Sequence, residues 1–294
     1  MGDDRPALAL SFDFEDWMQL VRRRLGQPDW DQVTEPLGRQ MDVVFGLLDE
    51  LGARATFFLL GITAERYPDL VERIAARGDE IACHGYAHAR VYDQTPDAFH
   101  EDVSRSVELI ERLTGRRPVG YRAPAFSINR DTPWSYEILA ELGFRYDSSL
   151  YDSPRVRNRM RGATLAPHRI ELDSGRELWE LPLAVWRVRG RPVPVGGGAY
   201  WRLLPAALLS RALGHAAKAA PYPALYFHPY ECDPEPLKVP LPGSPGPRER
   251  AFALAKHLQR NPGRGLVVPR IRKIAEEFRF VTCEEARVAV ASHN

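Results

Sequence analysis

The residues best suited to chemistry fall in five short groups: Asp13-Phe14-Glu15-Asp16, His84-Gly85-Tyr86-Ala87-His88, Arg122-Ala123-Pro124, Asp147-Ser148-Ser149 and His228-Pro229-Tyr230-Glu231. Taken singly, each has a bland reading. An acidic pair is usually a helix cap or a solvated loop, an i, i+4 histidine pair arises by chance, and a histidine after a strand is usually a satisfied polar residue. Together they hold the parts of a mononuclear hydrolytic metal site. Two neutral imidazoles and one carboxylate suit Zn2+ or a similar divalent ion and leave positions open for water and substrate. His84 and His88 supply the imidazoles if residues 84–88 make one turn, and the first group supplies carboxylates. A nearby carboxylate that binds no metal can act as general base, and a histidine across the site can protonate a leaving group.

Each group follows a strand-like run. Apolar segments at 7–12, 55–60, 80–83, 120–123, 144–147 and 225–227 read as strands, with a last one at 278–281. Helical patterns occupy 31–51, 63–77, 95–115 (Thr95 as N-cap, Pro96 in the first turn), 132–143 and 204–219. Residues 177–182 read as a strand near an edge, because Pro182 cannot donate to a ladder. A Pro-rich loop follows from 229 to 247, then two helical pieces. Repeated strand–helix units imply a parallel α/β sheet or barrel, and such barrels concentrate function at the carboxyl ends of their strands. No internal repeat or linker divides the chain. The expectation is a single domain over 1–294, with loop decorations at about 152–203 and 229–250.

Length and composition agree with a soluble globular protein. Apolar residues make up 44% of 294 and charged residues 27%, which excludes disordered, collagenous and disulfide-miniprotein classes. A net charge of +1 gives no global pull toward nucleic acid. Basic clusters at Arg155–Arg161 and Arg187–Arg191 read as solvated surface. Cys83, Cys232 and Cys283 are too widely spaced for a metal knuckle, and their odd number argues against a disulfide framework. There is no apolar run of membrane-spanning length and no basic segment followed by an apolar one near the start, so the expected address is the cytoplasm.

The five groups in this order resemble the motifs of the NodB-type polysaccharide deacetylases, carbohydrate esterase family 4: SFDFED at 11–16, HGYAH at 84–88, RAP at 122–124, YDSS at 146–149 and FHP at 227–229. The resemblance covers about residues 7–285. Within the family, DFEDW at 13–17, WELP at 179–182, GGGAYWRLLP at 196–205 and HPYECDP at 228–234 resemble the subgroup found with bacterial exopolysaccharide and surface-glycan loci, which is usually cytoplasmic. This likeness implies a distorted (β/α) barrel with fewer than eight strands. It also implies metal-dependent removal of an N-acetyl group from an amino sugar in a polysaccharide, oligosaccharide or glycan precursor. One divalent ion is implied, Zn before Co, Mn or Ni.

The family commonly has two adjacent aspartates, base then ligand, and here Phe14 interrupts them. By the D-x-D spacing of some members, Asp13 is the base and Glu15 the metal ligand beside His84 and His88. Two residues apart on a strand share a face, which favours Glu15, and Asp16 is the alternative. Arg122 resembles the arginine that holds the base carboxylate, His228 the general acid, and Asp147 the carboxylate that orients that histidine. A backbone N–H after Arg122 would help hold the oxyanion. Trp17, Tyr86, Phe126, Tyr200 and Trp201 could stack on sugar, though core packing explains them equally well. Two other readings remain: a hydrolase of another C–N amide, such as a cyclic imide or formamide, on the same barrel, or a dead carbohydrate-binding scaffold. The expected partner is an N-acetylated sugar or glycan, not nucleic acid, and the oligomeric state is left open.

Overall fold

A computed structural model describes residues 4–152, 164–241 and 243–292. The basic cluster at 155–161 lies outside the described residues. The strands are β1 (Ala7–Phe14), β2 (Thr56–Leu59), β3 (Glu80–Cys83), β4 (Gly120–Tyr121), β5 (Tyr146–Asp147), β6 (His168–Ile170), β7 (Leu178–Glu180), β8 (Val185–Val188), β9 (Arg191–Pro194), β10 (Ala224–Phe227) and β11 (Arg279–Val281). The main sheet runs β10-β1-β2-β3-β4-β5-β7-β6, with β11 paired to the start of β1. From β10 to β7 every pairing is parallel, and β6 joins β7 antiparallel. Just beyond β7, Leu183 forms a parallel bridge to Ala224 of β10, and Gly197 bridges Tyr226. The sheet therefore curls almost into a ring of seven parallel strands, the distorted barrel expected.

Parallel strands covered on both faces are apolar throughout, and β1 is buried from Leu8 to Phe14. Alternation divides its side chains between two cores. Leu8, Leu10, Phe12, Phe57, Leu59, Cys83, Tyr121, Leu225 and Phe227 face the surrounding helices in the larger cluster. Ala9, Phe58, Ala82, Tyr146, Trp179 and Ala224 fill the ring in a smaller one. This parity continues past the strand ends and decides which polar residues face the ring's mouth.

Between strands the helices are Glu35–Leu51, Pro68–Ala76, Pro96–Thr114, Trp134–Glu141 and Ala206–Ala219. The segment expected as one helix over 63–77 is two, Gly61–Arg66 and Pro68–Ala76, because Pro68 lacks the N–H to continue the first. Helix Trp17–Arg24, not anticipated, starts on Asp16. The stretch 152–203 is more than decoration. It contributes the ring strand β7, its neighbour β6 and the hairpin β8–β9. Nor is β7 an edge: it pairs on both sides, and Pro182 lies two residues past its end, where only its carbonyl is used, by Ala224 N–H (3.3 Å). No helix among the described residues is long and apolar enough to cross a membrane.

Candidate active site

Inward parity brings Asp13 from β1, Glu15 just after it, His84 after β3, Arg122 after β4, Ser148 after β5 and His228 after β10 to one end of the ring. Glu15 lies at the centre. Its Oε1 is 2.8 Å from His84 Nε2 and 3.0 Å from His88 Nε2, and its Oε2 is 3.7 Å from His228 Nε2. One donor atom from each of Glu15, His84 and His88 lies within 4.8 Å of the others, the one such cluster among the described residues. Burial would raise the Glu15 pKa, but the facing imidazoles, His88 first, hold its carboxyl well below the usual range. Burial would lower His88, and Glu15 lifts it above its ordinary value.

The donor set fits a cation. His84 Nδ1 lies 2.7 Å from the carbonyl oxygen of Arg122, which can only accept, so Nδ1 carries the hydrogen. In the neutral ring Nε2 then turns a lone pair toward a carboxylate oxygen at 2.8 Å. Two electron-rich atoms so placed need a proton or a metal ion between them. Nitrogen and oxygen donors in this ratio suit Zn2+.

Residues 84–88 do not make a helical turn. They form a bent loop with φ of +70° at Gly85 and +55° at His88. Asp102 of helix Pro96–Thr114 shapes it, accepting from the N–H of Tyr86 (2.8 Å) and Ala87 (3.0 Å). Only glycine suits position 85: its φ is left-handed, and a Cβ there would sit 2.8 Å from Asp102 Oδ2. The loop returns His88 to the face of His84, ring centroids 5.7 Å apart.

Asp16, the alternative ligand, is turned away. It caps helix Trp17–Arg24 by accepting from Met18 N–H (2.8 Å), and its other oxygen accepts from Thr34 Oγ1 and Tyr67 Oη, both at 2.7 Å. Asp13 meets Arg122 instead. Arg122 is fully buried and donates through Nη1 to Asp13 Oδ1 (2.8 Å) and Ser11 Oγ (2.8 Å), and through Nε and Nη2 to Ser148 O and Oγ (both 3.0 Å). Its guanidinium carbon lies 4.0 Å from the centroid of the Phe58 ring.

His228 has a different partner from the one expected. Glu231 Oε2 is 3.1 Å from His228 Nδ1 and also accepts from the His228 backbone N–H at 3.1 Å. Asp147 cannot take that place. Tyr146 points into the ring, so its neighbour Asp147 points out, toward the helices. There it accepts from Ser149 Oγ (2.6 Å) and N–H (3.1 Å) and pairs in register with Glu180. Burial and the Asp147 charge push Glu180 well above its ordinary value, and burial raises Asp147 too. Burial would lower His228, but Glu231 and Glu15 lift it; His228 in turn holds the buried Glu231 below its ordinary value. Tyr230 stacks on the His228 ring at 5.0 Å. The N–H of Ala123, a candidate oxyanion donor, is engaged by Ser149 Oγ (2.8 Å). Of the aromatic candidates, Trp17, Tyr86 and Trp201 are buried in packing, and Phe126 and Tyr200 are half-buried.

Comparison with known proteins places this geometry. Residues 31–146 match the family model described as polysaccharide deacetylase, and residues 148–287 match a domain of unknown function, DUF3473. Residues 31–146 therefore carry a polysaccharide deacetylase domain, in agreement with the resemblance to carbohydrate esterase family 4. DUF3473 is the model seen in deacetylases of exopolysaccharide loci, which agrees with the subgroup resemblance. Over 106 residues the chain is 38% identical to the peptidoglycan deacetylase-like protein FGM2 of Gibberella zeae (35% of this chain, 30% of that protein). Over 96 residues it is 36% identical to the peptidoglycan deacetylase of Helicobacter pylori (33% and 32%). The matched part is thus about a third of the length of these curated relatives. A putative polysaccharide deacetylase from Mycobacterium smegmatis shares the fold, with a TM-score of 0.61 at 24% identity over 98% of this chain and 93% of that one.

The boundary between the two matched regions, at residue 147, falls at the end of β5 inside the deacetylase sheet. β5 before it pairs with β7 after it, and β1 pairs with β10 and β11. Four residues of this site were not singled out from the sequence for what they do here. Glu231, Ser11 and Ser148 stand within named motifs, and Asp102 lies on the helix that follows the 84–88 loop. Parity marks the two serines as inward; the partners of Glu231 and Asp102 depend on how a loop and a helix pack.

Proposed function

We propose that this chain hydrolyses the N-acetyl group of an amino sugar in a glycan or glycan precursor, releasing acetate. The observation that carries the reading is the arrangement around Glu15: a carboxylate clamped by a buried arginine on one side, a paired histidine on the other, and two more imidazoles on Glu15 itself. Asp13, fixed through Oδ1 by Arg122, takes a proton from the attacking water. His228 gives a proton from Nε2 to the departing nitrogen, because an amide anion is too poor a leaving group at neutral pH. Glu231 holds the Nδ1 side of that ring and favours its charged form. Glu15, His84 and His88 would hold one divalent ion, Zn before Co, Mn or Ni, which when bound would supply Lewis-acid chemistry at the acetamide carbonyl.

Retention of Asp13, His84, His88 and His228 in one cleft supports hydrolysis over a binding scaffold. The test is a mass-spectrometric screen of the metal-loaded protein for acetyl loss from peptidoglycan fragments, N-acetylglucosamine oligomers and lipid-linked N-acetylated oligosaccharides. Acetate release from at least one class, abolished by Asp13→Asn, is expected. Turnover of a cyclic imide with none of the sugars would replace this reading with that of another amide hydrolase.

A further inference from the structure

Helix Pro247–Arg260 breaks the usual rule for a surface helix, which turns its apolar stripe inward and its charges to water. None of its residues is buried. Glu249, Phe252, Ala253, Lys256 and Arg260 form the half-buried side. The outward side carries Ala251, Leu254, Ala255 and Leu258, at i, i+3, i+4 and i+7, all exposed, with Leu254 and Leu258 at 59% and 63%. Two more exposed leucines belong to the same region. Arg202 donates to the carbonyls of Gln259 and Arg260, which places Leu203 at the helix end, and Leu266 lies in the turn after it. These four are all the exposed leucines among the described residues.

The surroundings are basic. The helix has Arg248, Arg250, Lys256 and Arg260 against one acid, Glu249, and Glu249 is spent capping the helix by accepting from Gly246 N–H (2.6 Å). The exposed Arg24 of helix Trp17–Arg24 reaches over Phe252, 5.4 Å from its ring centroid. A helix with an outward apolar stripe flanked by arginines and lysines has the make-up of one that lies in a bilayer interface. A second copy docked symmetrically on this face would oppose positive charge to positive charge.

We propose that this face docks on an anionic membrane surface, with Leu254 and Leu258 entering the interface and Arg248 and Arg250 meeting the headgroups. The cleft would then lie close to the membrane. Arg260 at the helix end donates to Tyr230 Oη (2.8 Å), and Tyr230 stacks on His228. The inference does not depend on the chemistry at that cleft.

The test is sedimentation of the full chain with phosphatidylcholine vesicles, with and without phosphatidylglycerol. Binding only to the phosphatidylglycerol vesicles is expected, weakened by salt. The double change Leu254→Ser and Leu258→Ser should lower partitioning by about tenfold or more. Arg248→Glu with Arg250→Glu should remove the preference for anionic lipid. All four positions are exposed, so both variants should keep the wild-type melting temperature and turnover on a soluble substrate. Three results would overturn the proposal: no vesicle binding by the wild type, equal binding by the serine variant, or a wild-type dimer in ultracentrifugation that the serine variant converts to monomer. Binding to polyglutamate but not to vesicles would also overturn it, in favour of an acidic protein partner.

Discussion

The two sides of the cleft hold their ion pairs in different ways. On the Asp13 side, the partner is Arg122, 109 residues away, and the pair closes only when β1, β4 and β5 have assembled. Arg122 also binds Ser11 and both oxygens of Ser148, so it ties three strand ends together. On the His228 side, the partner is Glu231, three residues on, across the start of the short helix Pro229–Cys232. One pair is a product of the whole barrel and the other of a single turn. Damage to the first should therefore show in the fold, and damage to the second in the chemistry alone.

The sharpest way to break this contrast is Arg122→Met. It leaves Asp13 buried without its cation and Ser148 without its donor. Loss of one partner from a buried pair costs about 3–5 kcal/mol. We expect a large drop in melting temperature together with loss of turnover. A variant that melts like the wild type would mean that Arg122 does not tie the strand ends.

The next effects are chemical. Asp13→Asn should keep metal and lose about 10^2–10^4 in turnover, the range of a general base. Glu15→Gln, His84→Ala and His88→Ala should each lose metal by elemental analysis, and a chelator should abolish wild-type activity. Asp16→Asn should keep metal but lower stability by about 1 kcal/mol, since an amide nitrogen in place of Oδ2 cannot accept from Thr34 Oγ1 and Tyr67 Oη. If Asp16→Asn strips the metal and Glu15→Gln does not, the roles of these two neighbours are reversed.

On the other side, Glu231→Gln should fold normally and change the pH dependence. Glu231 and Glu15 hold the His228 pKa above its ordinary value. Loss of the Glu231 charge lowers that pKa, so His228 gives up its proton at lower pH. The alkaline limb of the rate profile should move to lower pH, with turnover near neutrality down several-fold. An unmoved limb would take His228 out of the proton-donor role.

Much of the barrel and of the cleft is readable from residue type and strand parity. The apolar runs at 55–60 and 80–83 and helix stops such as Gly115, with its φ of +68°, mark elements that the structure contains. Parity also favours Glu15 over Asp16, although β1 ends at Phe14 and Glu15 lies in the turn beyond it, with its N–H bonded to Asp13 O (2.9 Å). Other features needed tertiary information. Helix Trp17–Arg24 is hidden by three successive arginines, and its one local sign is Asp16 as a cap. β6, β8 and β9 are three or four residues long and exist through their pairing. The expected Asp147–His228 pair followed motif order and ignored parity: with Tyr146 inside the ring, Asp147 has to lie outside it.

That misplacement leads to the smallest predicted effect, which separates Asp147 from Glu231 by experiment. Asp147 and Glu180 form a buried pair on the outer face of the ring. Burial, then the charge of Asp147, raises Glu180 well above the ordinary 4.5, and burial raises Asp147 too. The folded state therefore binds a proton that the unfolded chain releases. A raised carboxyl stabilises the fold fully below its unfolded pKa, and this contribution is lost as pH rises through the folded value. Wild-type stability should fall with pH from about 4.5 upward, across the window set by the raised Glu180. Glu180→Gln retains an N–H that can donate to Asp147 and carries no titrating proton. It should flatten that slope, and the alkaline limb of the rate profile should stay in place. Glu231→Gln should move the limb and leave the part of the slope that Glu180 sets. If Glu180→Gln or Asp147→Asn moves the limb as far as Glu231→Gln does, the outer pair is coupled to His228 and the division between the two sides of the cleft fails.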